Sequence, residues 1–407
     1  MGAIFLKPAD DHSAMIPTGV GRRRRIGLNL LWLVPGEVGG SEEYTVGLLR
    51  AFAELAPEDI DLVVYVNGRM AKEHGELLEH FTTVVAPVSG TSRPLRVFIE
   101  SSWLALRARR DRVEFVHHGG GTMPAVRSRP GLVTLHDLQP ITHPERFGFI
   151  KRSYIKLVAP RSLRRATRVV CLSQFTATDA ERIAGVDPSR IAIVASGVDP
   201  VGPSDSGATA DDDAVLERFG VTSSGFILYP AITYEHKNHR TLVDAFARLV
   251  AVHPELRLVL TGGVGGAEND LRTQIESLGL DDVVVRPGRV AASDLDTLYR
   301  RALLMAFPSS YEGFGLPLLE SMVRGCPGVV SSVGGLPEVG GTAVDLVDPF
   351  DIDGWVVAMD RVIIDHEHRA AMVAKGLEQC GQFQWSNSAS ALAKLYRGLP
   401  RTTVAAP

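Results

Sequence analysis

The sequence predicts an α/β protein built from two doubly wound domains in series. Short apolar, β-branched runs alternate with amphipathic stretches along nearly the whole chain, and this pattern is typical of buried parallel strands joined by helices. The alternation breaks once, at the polar and acidic run VGPSDSGATADDD of residues 201–213, and then restarts. The length of 407 residues fits two domains of ordinary size.

The first half of the chain predicts seven strands with helices between them. The predicted strands are Ile26–Leu33, Asp61–Val66, Thr83–Ala86, Glu114–His117, Leu132–Leu135, Val169–Leu172 and Ile191–Val194. Amphipathic periodicity predicts helices at Glu42–Leu55 and Gln174–Ile183.

The second half repeats the pattern with five predicted strands. These strands are Phe226–Tyr229, Leu256–Leu260, Val283–Arg286, Leu303–Phe307 and Gly328–Val330. The predicted helices are His239–Val252, Asn269–Leu278, Ser293–Arg301 and Leu316–Val323. Ligands of such sheets bind at the carboxyl ends of the strands, so we expect the site in the cleft between the domains.

The composition breaks define the expected domain limits. Residues 1–24 form a loose tail whose arginines are solvated, residues 25–200 the first domain and residues 201–213 a linker. Residues 214–385 form the second domain, and residues 386–400 a C-terminal helix. We interpret the acidic run Asp211–Asp213 as solvated loop rather than a metal site, because it lies in a Gly, Ser and Pro context.

The composition is typical of a globular enzyme without a membrane span. Apolar residues make up 45% and charged residues 22% of the chain, and no apolar run approaches the roughly 18 residues that cross a bilayer. The cysteines Cys171, Cys326 and Cys380 are far apart and show no CxxC spacing. We therefore expect a cytoplasmic protein without disulfides or structural zinc.

Charge is spread unevenly along the chain. Residues 1–200 contain 26 Lys and Arg against 21 Asp and Glu, whereas the remainder contains 17 against 26. One stretch without acids carries the basic residues Lys151, Arg152, Lys156, Arg161, Arg164, Arg165 and Arg168. Two interpretations stay open, a solvated helix face and a surface for phosphate groups or an anionic membrane leaflet. We expect no nucleic-acid partner.

The stretch SSYEGFGLPLLE, Ser309 to Glu320, carries the strongest chemical signal. A predicted strand ends at Phe307, a loop follows, and Pro317 suits the first turn of the next helix. A helix N-terminus favours phosphate, and glycine lets the backbone approach a bulky ligand. Glu312 in the loop and Glu320 one turn inside the helix can therefore face different parts of one elongated ligand.

This string resembles the donor-binding signature of glycosyltransferase family 4, whose two glutamates show the same E-x7-E spacing. The family comprises retaining enzymes of the GT-B fold that use nucleotide sugars. The resemblance implies two Rossmann-like domains facing a central cleft, with the acceptor on the first and the donor on the second. The segment FQWSNSASALAKLY, Phe383–Tyr396, resembles the C-terminal helix that crosses back to the first domain.

Other segments match the family at similar places along the chain. GGSEEYTVGLL resembles the loop in which Gly39 and Gly40 approach the donor phosphate and the acceptor, before a helix that Ser41 would cap. LHDLQPITHPERF resembles the segment that brings a histidine, here His136, to the transferred sugar. YPAITYEHKNHRTLVDAF resembles the loop with a diphosphate-binding lysine, here Lys237.

The resemblance implies a catalytic set of Glu312, Lys237 and His136. The implied donor-binding residues are Gly313, Phe314, Gly315, Leu316, Glu320 and Val290, the last from the base-contacting turn RPGRV. In the family the leaving phosphate takes the acceptor's proton, so the resemblance implies neither a dedicated base nor a metal or other cofactor.

One departure concerns the family's arginine five residues before the lysine, which is Ile232 here. Either Arg240 or His236 compensates, or the loop HKNH marks the subgroup that resembles mannosyltransferases using GDP-mannose. We favour the second account. Two other functions stay open, an epimerase or phosphorylase-like enzyme on the same scaffold, and a catalytically degenerate scaffold protein of an assembly complex.

Overall fold

The computed structural model describes residues 23–37, 39–199, 210–221 and 225–401, and it gives no side-chain description for residues 151, 210 and 211. The predicted tail, up to residue 22, and residues 201–209 of the predicted linker lie outside the described part of the chain. Two separate parallel sheets occupy the described residues, as the sequence predicts.

The first sheet has seven strands in the order β3-β2-β1-β4-β5-β6-β7, and every neighbouring pair is parallel. The strands are β1 (Arg24–Leu30), β2 (Ile60–Val66), β3 (Thr82–Val85), β4 (Phe115–His118), β5 (Gly131–Leu135), β6 (Arg168–Cys171) and β7 (Ile191–Ile193). The helices of this half are α1 (Gly40–Leu55), α2 (Gly68–Glu73), α3 (Gly75–Leu78), α4 (Arg93–Ser101), α5 (Trp103–Arg110), α6 (Gln139–Thr142), α7 (Phe149–Arg165) and α8 (Gln174–Ala184).

The second sheet has six parallel strands in the order β10-β9-β8-β11-β12-β13. The strands are β8 (Phe226–Pro230), β9 (Arg257–Thr261), β10 (Val284–Gly288), β11 (Leu304–Phe307), β12 (Gly328–Ser331) and β13 (Asp345–Val347). The helices are α9 (Ala210–Arg218), α10 (His239–Val252), α11 (Glu268–Ser277), α12 (Ala292–Arg301), α13 (Leu316–Val323), α14 (Leu336–Gly340), α15 (Ile352–Ile364), α16 (His366–Cys380) and α17 (Trp385–Arg397).

Both sheets reverse their strand order at a central strand. In the first sheet β1 lies between β2 and β4, and in the second β8 lies between β9 and β11. Loops that leave a parallel sheet at such a reversal diverge to opposite faces and open a crevice for ligands. The loops after β1, β8 and β11 carry Gly39, Gly40, Lys237 and Glu312, so the topology places these predicted site residues at the crevices, whereas His136 follows β5 and Val290 follows β10.

The prediction that β1 runs to Leu33 is wrong, because the strand ends at Leu30. The Asn29 side chain accepts a hydrogen bond from the Leu31 amide at 3.1 Å and turns the chain. Leu31 and Leu33 are nevertheless fully buried, and Asn67 Nδ2 donates to both of their carbonyl groups, at 3.2 and 2.7 Å. The apolar run therefore continues beyond the strand because it packs in the core as a turn.

The prediction of solvated arginines before the first strand is wrong for Arg24. Its side chain is buried, and its guanidinium donates to the carbonyl groups of Tyr396 at 2.9 Å and Leu399 at 2.7 Å, at the end of α17. Glu114 completes the environment with an ion pair of 2.9 Å. The charge is tolerated in the interior because these acceptors replace water.

The interpretation of the acidic run as solvated loop is also wrong for Asp212. Residues 210–213 belong to α9, and Asp212 is buried. Its carboxylate accepts two hydrogen bonds from Arg300 of α12, at 2.7 and 2.9 Å, and one from Thr297 at 3.2 Å. This bidentate pair anchors α9 to α12 of the second domain.

The C-terminal helix packs against the first domain as predicted, with α17 lying on α1. A Cβ added at Gly47 of α1 would lie 2.3 Å from the Trp385 ring, so a glycine is needed for this close approach. The Tyr396 hydroxyl meets His117 Nδ1 at 2.8 Å inside the first domain. Within the described residues, no helix is both long and apolar enough to span a bilayer.

Candidate active site

The loop between β11 and α13 contains two glycines with different steric roles. Gly315 has a φ of +105°, and an added Cβ would lie 2.5 Å from the Leu336 side chain. An added Cβ at Gly313 would lie 2.4 Å from the carbonyl oxygen of His136, which belongs to the first domain. Gly315 therefore permits the turn into α13, and Gly313 permits the two domains to approach each other.

Lys237 and Glu312 form an ion pair at the centre of this region. Lys237 Nζ lies 2.6 Å from Glu312 Oε1, and the side chains are 19% and 13% exposed. The lysine also lies over the Phe307 ring at 5.6 Å. The predicted phosphate-binding lysine and the predicted sugar-binding glutamate are thus brought together by loops that lie 75 residues apart in sequence.

The turn that carries Lys237 is fixed by the residue that follows it. Asn238 has a φ of +53°, which asparagine tolerates better than most residues. Its side-chain amide donates to the carbonyl groups of Pro308 at 3.1 Å and Pro349 at 2.6 Å. The Tyr229 hydroxyl donates to the Lys237 carbonyl at 2.6 Å. These bonds tie the lysine turn directly to the loop of Glu312.

Glu320 lies one turn inside α13, as predicted, and is largely buried. Its carboxylate accepts a hydrogen bond from the Tyr299 hydroxyl at 3.1 Å. Burial raises the pKa of Glu320, while the Tyr299 hydrogen bond and the nearby Arg324 guanidinium oppose the rise. The carboxylate has further acceptor capacity beyond the tyrosine, which a ribose diol can use.

The N-terminus of α13 has no side-chain cap. Gly315 is the N-cap residue, and Leu316 and Pro317 begin the helix. The uncapped amide groups and the dipole favour an anion here. The Phe314 side chain, by contrast, is buried and packs edge-to-face on Phe383 at 5.8 Å, so it holds the loop against the C-terminal segment.

His136 follows β5 and belongs to the first-domain side of the cleft. Its Nε2 donates to the Gly119 carbonyl at 2.9 Å, and the ring packs against Trp32 and Tyr44 at centroid distances of 5.6 and 5.5 Å. Burial lowers the pKa of His136 to about 4, so the imidazole is neutral at pH 7. Its buried Nδ1, which has no partner in the described part of the chain, is therefore an acceptor.

The Gly39–Gly40 loop precedes α1, but the prediction that Ser41 caps this helix is wrong. The helix begins at Gly40, the N-cap is Gly39 with a φ of +58°, and no side chain caps it. Added Cβ atoms at Gly39 and Gly40 would meet nothing within 4 Å. Glu42 turns back and accepts a hydrogen bond from the Gly36 amide at 2.7 Å, which holds the loop instead.

Glu43 in the first turn of α1 interacts electrostatically with the opposite side of the cleft. The residue is exposed at its surface, yet the protein that surrounds its carboxyl displaces water and raises its pKa to about 7. The charges of Glu320 and Glu42 add to this rise, and Arg289 opposes it. Sequence reasoning did not identify Glu43, since an acid in a first helical turn has an ordinary structural role.

A cavity of about 220 Å³ opens at the carboxyl ends of β9 and β10. Glu268, one of its lining residues, pairs with Arg286 and accepts a hydrogen bond from Thr233 at 2.9 Å. Val290 lies two residues after Gly288, the last residue of β10, and its partly buried side chain packs against the core. Sequence reasoning reached Arg286 and Val290 through the segment RPGRV but missed Glu268, which lies on a separate helix.

Single polar contacts join the two sides of the cleft. Ser173 Oγ donates to the Gly313 carbonyl at 2.6 Å, and the Tyr311 hydroxyl lies 3.3 Å from the Asp179 carboxylate. Glu338 accepts from the Gln174 amide at 2.8 Å, at the N-terminus of α8. Within the residues that the structure describes, no group of three or more His, Cys, Asp or Glu side chains could hold a metal ion.

Two Rossmann-like sheets and a C-terminal helix that packs on the first domain define a GT-B protein. Its cleft contains a lysine–glutamate pair beside an uncapped helix N-terminus. A glycosyltransferase from Rickettsia africae shares this fold, with a TM-score of 0.72 at 17% identity over 92% of this chain and 98% of its own. Likeness at that identity establishes the architecture only.

Sequence comparison then gives the family. Residues 38–201 match the model "Glycosyltransferase Family 4", and residues 219–379 match "Glycosyl transferases group 1". The chain is 30% identical to O-antigen chain mannosyltransferase B of Escherichia coli, over 71% of this chain and 76% of that protein. It is 25% identical to O-antigen chain mannosyltransferase RfbU of Salmonella typhimurium, over 79% and 87%. The chain belongs to glycosyltransferase family 4, and it transfers a sugar from a nucleotide-sugar donor to an acceptor.

Proposed function

We propose that this chain transfers mannose from GDP-mannose to a hydroxyl group of a glycan, glycolipid or lipid-linked acceptor, with retention at the anomeric carbon. Mannose is favoured because two relatives that match most of the chain are named O-antigen chain mannosyltransferases. The observation that carries the site assignment is the Lys237–Glu312 pair beside the N-terminus of α13.

The first chemical requirement is stabilisation of the departing diphosphate. Lys237 Nζ and the uncapped amide groups at the start of α13 supply positive potential in a partly water-excluded site. In the structure Lys237 is paired with Glu312. We infer that the incoming diphosphate takes over the lysine, which releases Glu312 to bind hydroxyl groups of the sugar.

Glu312 then orients the sugar, and Glu320 binds the nucleotide ribose. The two carboxylates lie in the loop and inside the helix, respectively, so they can bind separate parts of a donor that runs along α13. The backbone around Gly313 and Gly315 allows close approach, and the turn at Val290 contacts the base. Positioning and electrostatics therefore lower the barrier together.

His136 and the Gly39–Gly40 loop complete the site from the first domain. The neutral imidazole presents Nδ1 as an acceptor for a hydroxyl of the transferred sugar. The open space over Gly39 and Gly40 suits an acceptor, and the acids Glu42 and Glu43 in the same turn favour hydroxyl groups over phosphate.

The transfer needs no dedicated base, because the departing phosphate accepts the acceptor's proton. The bond between the anomeric carbon and the diphosphate oxygen breaks, and the acceptor oxygen forms its bond on the same face. The acceptor's proton moves to the departing phosphate oxygen, which gains basicity as the bond breaks. Lys237 stabilises the negative charge on the phosphate throughout this step.

Donor hydrolysis tests the donor assignment without knowledge of the acceptor. The purified chain is incubated with GDP-mannose, GDP-fucose, UDP-glucose, UDP-N-acetylglucosamine and dTDP-rhamnose, and the released nucleotide is measured. We expect slow release of GDP from GDP-mannose, abolished in Glu312→Gln, and α-mannose as the first product by NMR. Turnover of a different donor would overturn the mannose assignment, and silence with every donor would favour a scaffold protein.

We also propose that the protein associates peripherally with the inner, anionic face of the membrane. The basic helix α7 carries Arg152, Lys156, Arg161, Arg164 and Arg165, and Lys151 lies on the same helix. The neighbouring exposed apolar side chains of α4, α5 and α7 are Leu95, Phe98, Leu106, Phe149, Ile150 and Leu157.

Helix α7 lies near α4, because Tyr154 of α7 interacts electrostatically with Glu100 and Arg96 of α4, and α5 follows α4 directly. Exposed apolar residues surrounded by arginines complement an anionic lipid surface. We propose that this surface holds the first domain at a membrane that contains a lipid-linked acceptor, and we propose a cytoplasmic location on the same basis.

Vesicle sedimentation tests the membrane proposal. We expect the protein to sediment with vesicles of phosphatidylglycerol and phosphatidylcholine, but to a much smaller extent with phosphatidylcholine alone. The double variant Arg152→Glu with Lys156→Glu should lose the difference, while Lys375→Glu on the exposed face of α16 should retain it. Equal sedimentation of all three proteins would contradict a role for α7.

A further inference from the structure

Arg146 is a part-buried cation on the first-domain side of the cleft that the site described above does not use. Its side chain is 15% exposed, and its Nη2 donates to Ser310 Oγ of the second domain at 3.1 Å. Ser310 in turn donates through its amide to the His236 carbonyl at 2.7 Å. Ser310 therefore links the Arg146 guanidinium to the turn that carries Lys237. In sequence, Ser310 lies two positions before Glu312.

The charge of Arg146 has little compensation from the protein. Its Nη1 is buried and has no hydrogen-bond partner within the described part of the chain. The Glu145 carboxylate lies 3.8 Å from Nε, and Glu145 is 63% exposed. A guanidinium that is largely removed from water and has an unused donor gains from an anion that completes its environment. The Glu312 carboxylate in the same region is paired with Lys237.

We propose that Arg146 is a phosphate-binding residue of the cleft, whose Nη1 donates to an oxyanion of a bound substrate. The inference rests on the proposed function and adds a residue to it. Guanidinium groups favour phosphate because their planar N–H pairs match two phosphate oxygens. The phosphate belongs either to the donor diphosphate or to a phosphorylated acceptor, since both reach the same cleft.

The two residues expected to compensate for Ile232 fit this role less well. Burial lowers the pKa of His236 to about 4, with the Lys237 charge adding to the effect, so His236 carries no charge at pH 7. Arg240 is exposed on α10, where its carbonyl accepts a hydrogen bond from Gln274 of α11. Arg146 is both charged and part-buried at the cleft.

Calorimetric titrations with GDP and with inorganic pyrophosphate test the proposal. The proteins are the wild type, Arg146→Gln, Arg146→Lys and Ser310→Ala, which removes the hydrogen bond but keeps the charge. If the donor diphosphate is the ligand, Arg146→Gln should weaken GDP binding by about 10- to 100-fold, as loss of a charge-assisted hydrogen bond implies. Arg146→Lys should recover part of the affinity, and Ser310→Ala should lose only a few-fold.

If an acceptor phosphate is the ligand, the GDP affinity of Arg146→Gln should be unchanged. Pyrophosphate should then bind to GDP-saturated wild type and fail to bind to GDP-saturated Arg146→Gln. Equal binding of both ligands to wild type and Arg146→Gln would overturn the proposal. If Arg146 has a purely structural role, Arg146→Lys should lose as much ligand affinity as Arg146→Gln, and the salt dependence of binding should be the same as in the wild type.

These outcomes are separate from failure of the proposed function. A wild type that binds no GDP contradicts the donor assignment, and pyrophosphate titration of the nucleotide-free proteins still tests Arg146. A wild type that turns over GDP-mannose beside an unaffected Arg146→Gln contradicts the arginine alone. Thermal unfolding of each variant establishes that the compared proteins are folded.

Discussion

The first domain meets the rest of the chain in two places that differ in chemistry. At the brace, defined as the contact of α17 with α1 and β1, the Trp385 ring packs directly over Gly47, and buried Arg24 binds the end of the helix. Across the cleft, single hydrogen bonds such as Ser173 to Gly313 join the domains. Large apolar contacts and a buried charge hold the brace, whereas the cleft is held by hydrogen bonds and by the Tyr311 ring, which packs edge-to-face on Phe175 and His143.

This difference indicates which contact persists while the enzyme works. Opening the brace would expose Trp385 and Tyr396 and leave the Arg24 guanidinium without its carbonyl partners, at a cost of several kcal/mol. Opening the cleft exchanges a few hydrogen bonds for water and exposes one packed ring, that of Tyr311, so we expect it to cost less. We therefore expect the domains to stay joined at the brace and to open and close at the cleft as substrates come and go.

The largest effect should come from a cleft residue and leave the brace intact. Lys237→Ala removes the cation that stabilises the departing diphosphate, and we expect kcat/KM for GDP-mannose hydrolysis to fall by about 100- to 1000-fold. The melting temperature should change little. Arg240→Ala, an exposed arginine on the next helix, is the matched control. Wild-type hydrolysis by Lys237→Ala would exclude the lysine from catalysis.

A brace variant should show the opposite pattern, with reduced stability. Gly47→Ala places a Cβ 2.3 Å from the Trp385 ring, and overpacking of this kind costs about 1–3 kcal/mol of unfolding free energy. Urea unfolding measures the loss, and Gly75→Ala, whose Cβ meets nothing within 4 Å, is the control. In a Trp385→Ala background the cost of Gly47→Ala should disappear. Equal costs in both backgrounds would argue against the predicted contact.

The pH dependence of donor binding tests the electrostatics of the cleft. The pKa of Glu43 is raised to about 7, so its carboxyl ionises as the pH rises from 6 to 8 and adds negative charge near Glu320. The same pKa shift affects folding. The stability that the protonated Glu43 carboxyl contributes to the folded state is fully present below pH 4.5, its ordinary pKa, and is lost as the pH rises through 7. We expect the Kd of GDP-mannose to increase by about 2- to 5-fold over this range, as for exposed charges.

Glu43→Gln should bind GDP-mannose with the same Kd at pH 6 and pH 8. His136 should add no inflection in this window, because its pKa is about 4. An unchanged pH profile in Glu43→Gln would assign the titration to another group.

The smallest effect should come from a single contact across the cleft. Glu338 accepts hydrogen bonds from the amides of Gln174 and Phe175 at the start of α8. Glu338→Gln weakens this helix cap, and we expect a loss below about 1 kcal/mol in unfolding free energy. A loss as large as that of Gly47→Ala would mean that the cleft contributes to stability as strongly as the brace does.

The sequence predicts the local structure around the site residues well, because neighbouring residues in the chain determine where a strand ends and a helix begins. The apolar run before Pro308 and the proline at the start of α13 place Glu312 in a loop and Glu320 inside a helix, and the structure agrees. The three-residue edge strand β13 was not predicted, because so short a run resembles an ordinary loop. Helices α4 and α5 were also absent from the prediction.

Features that depend on distant pairing lay beyond sequence reasoning. Arg24 binds carbonyl groups more than 370 positions away, and Arg146 reaches Ser310 across 164 positions. Neither residue has a local pattern that distinguishes it from a solvated arginine. The Lys237–Glu312 ion pair follows the same rule, since each residue was predicted separately and only the fold brings them into contact.

Calorimetric titration of GDP-mannose tests the central claim most directly, namely that the donor binds along α13 on the second-domain side of the cleft. The titration compares wild type with Glu320→Ala, without added metal, and UDP-glucose serves as the competing donor. We expect saturable binding of GDP-mannose to the wild type and at least tenfold weaker binding to Glu320→Ala. We also expect UDP-glucose to bind the wild type more weakly than GDP-mannose does. Equal affinity of the two proteins for GDP-mannose would contradict the assignment of the donor to α13.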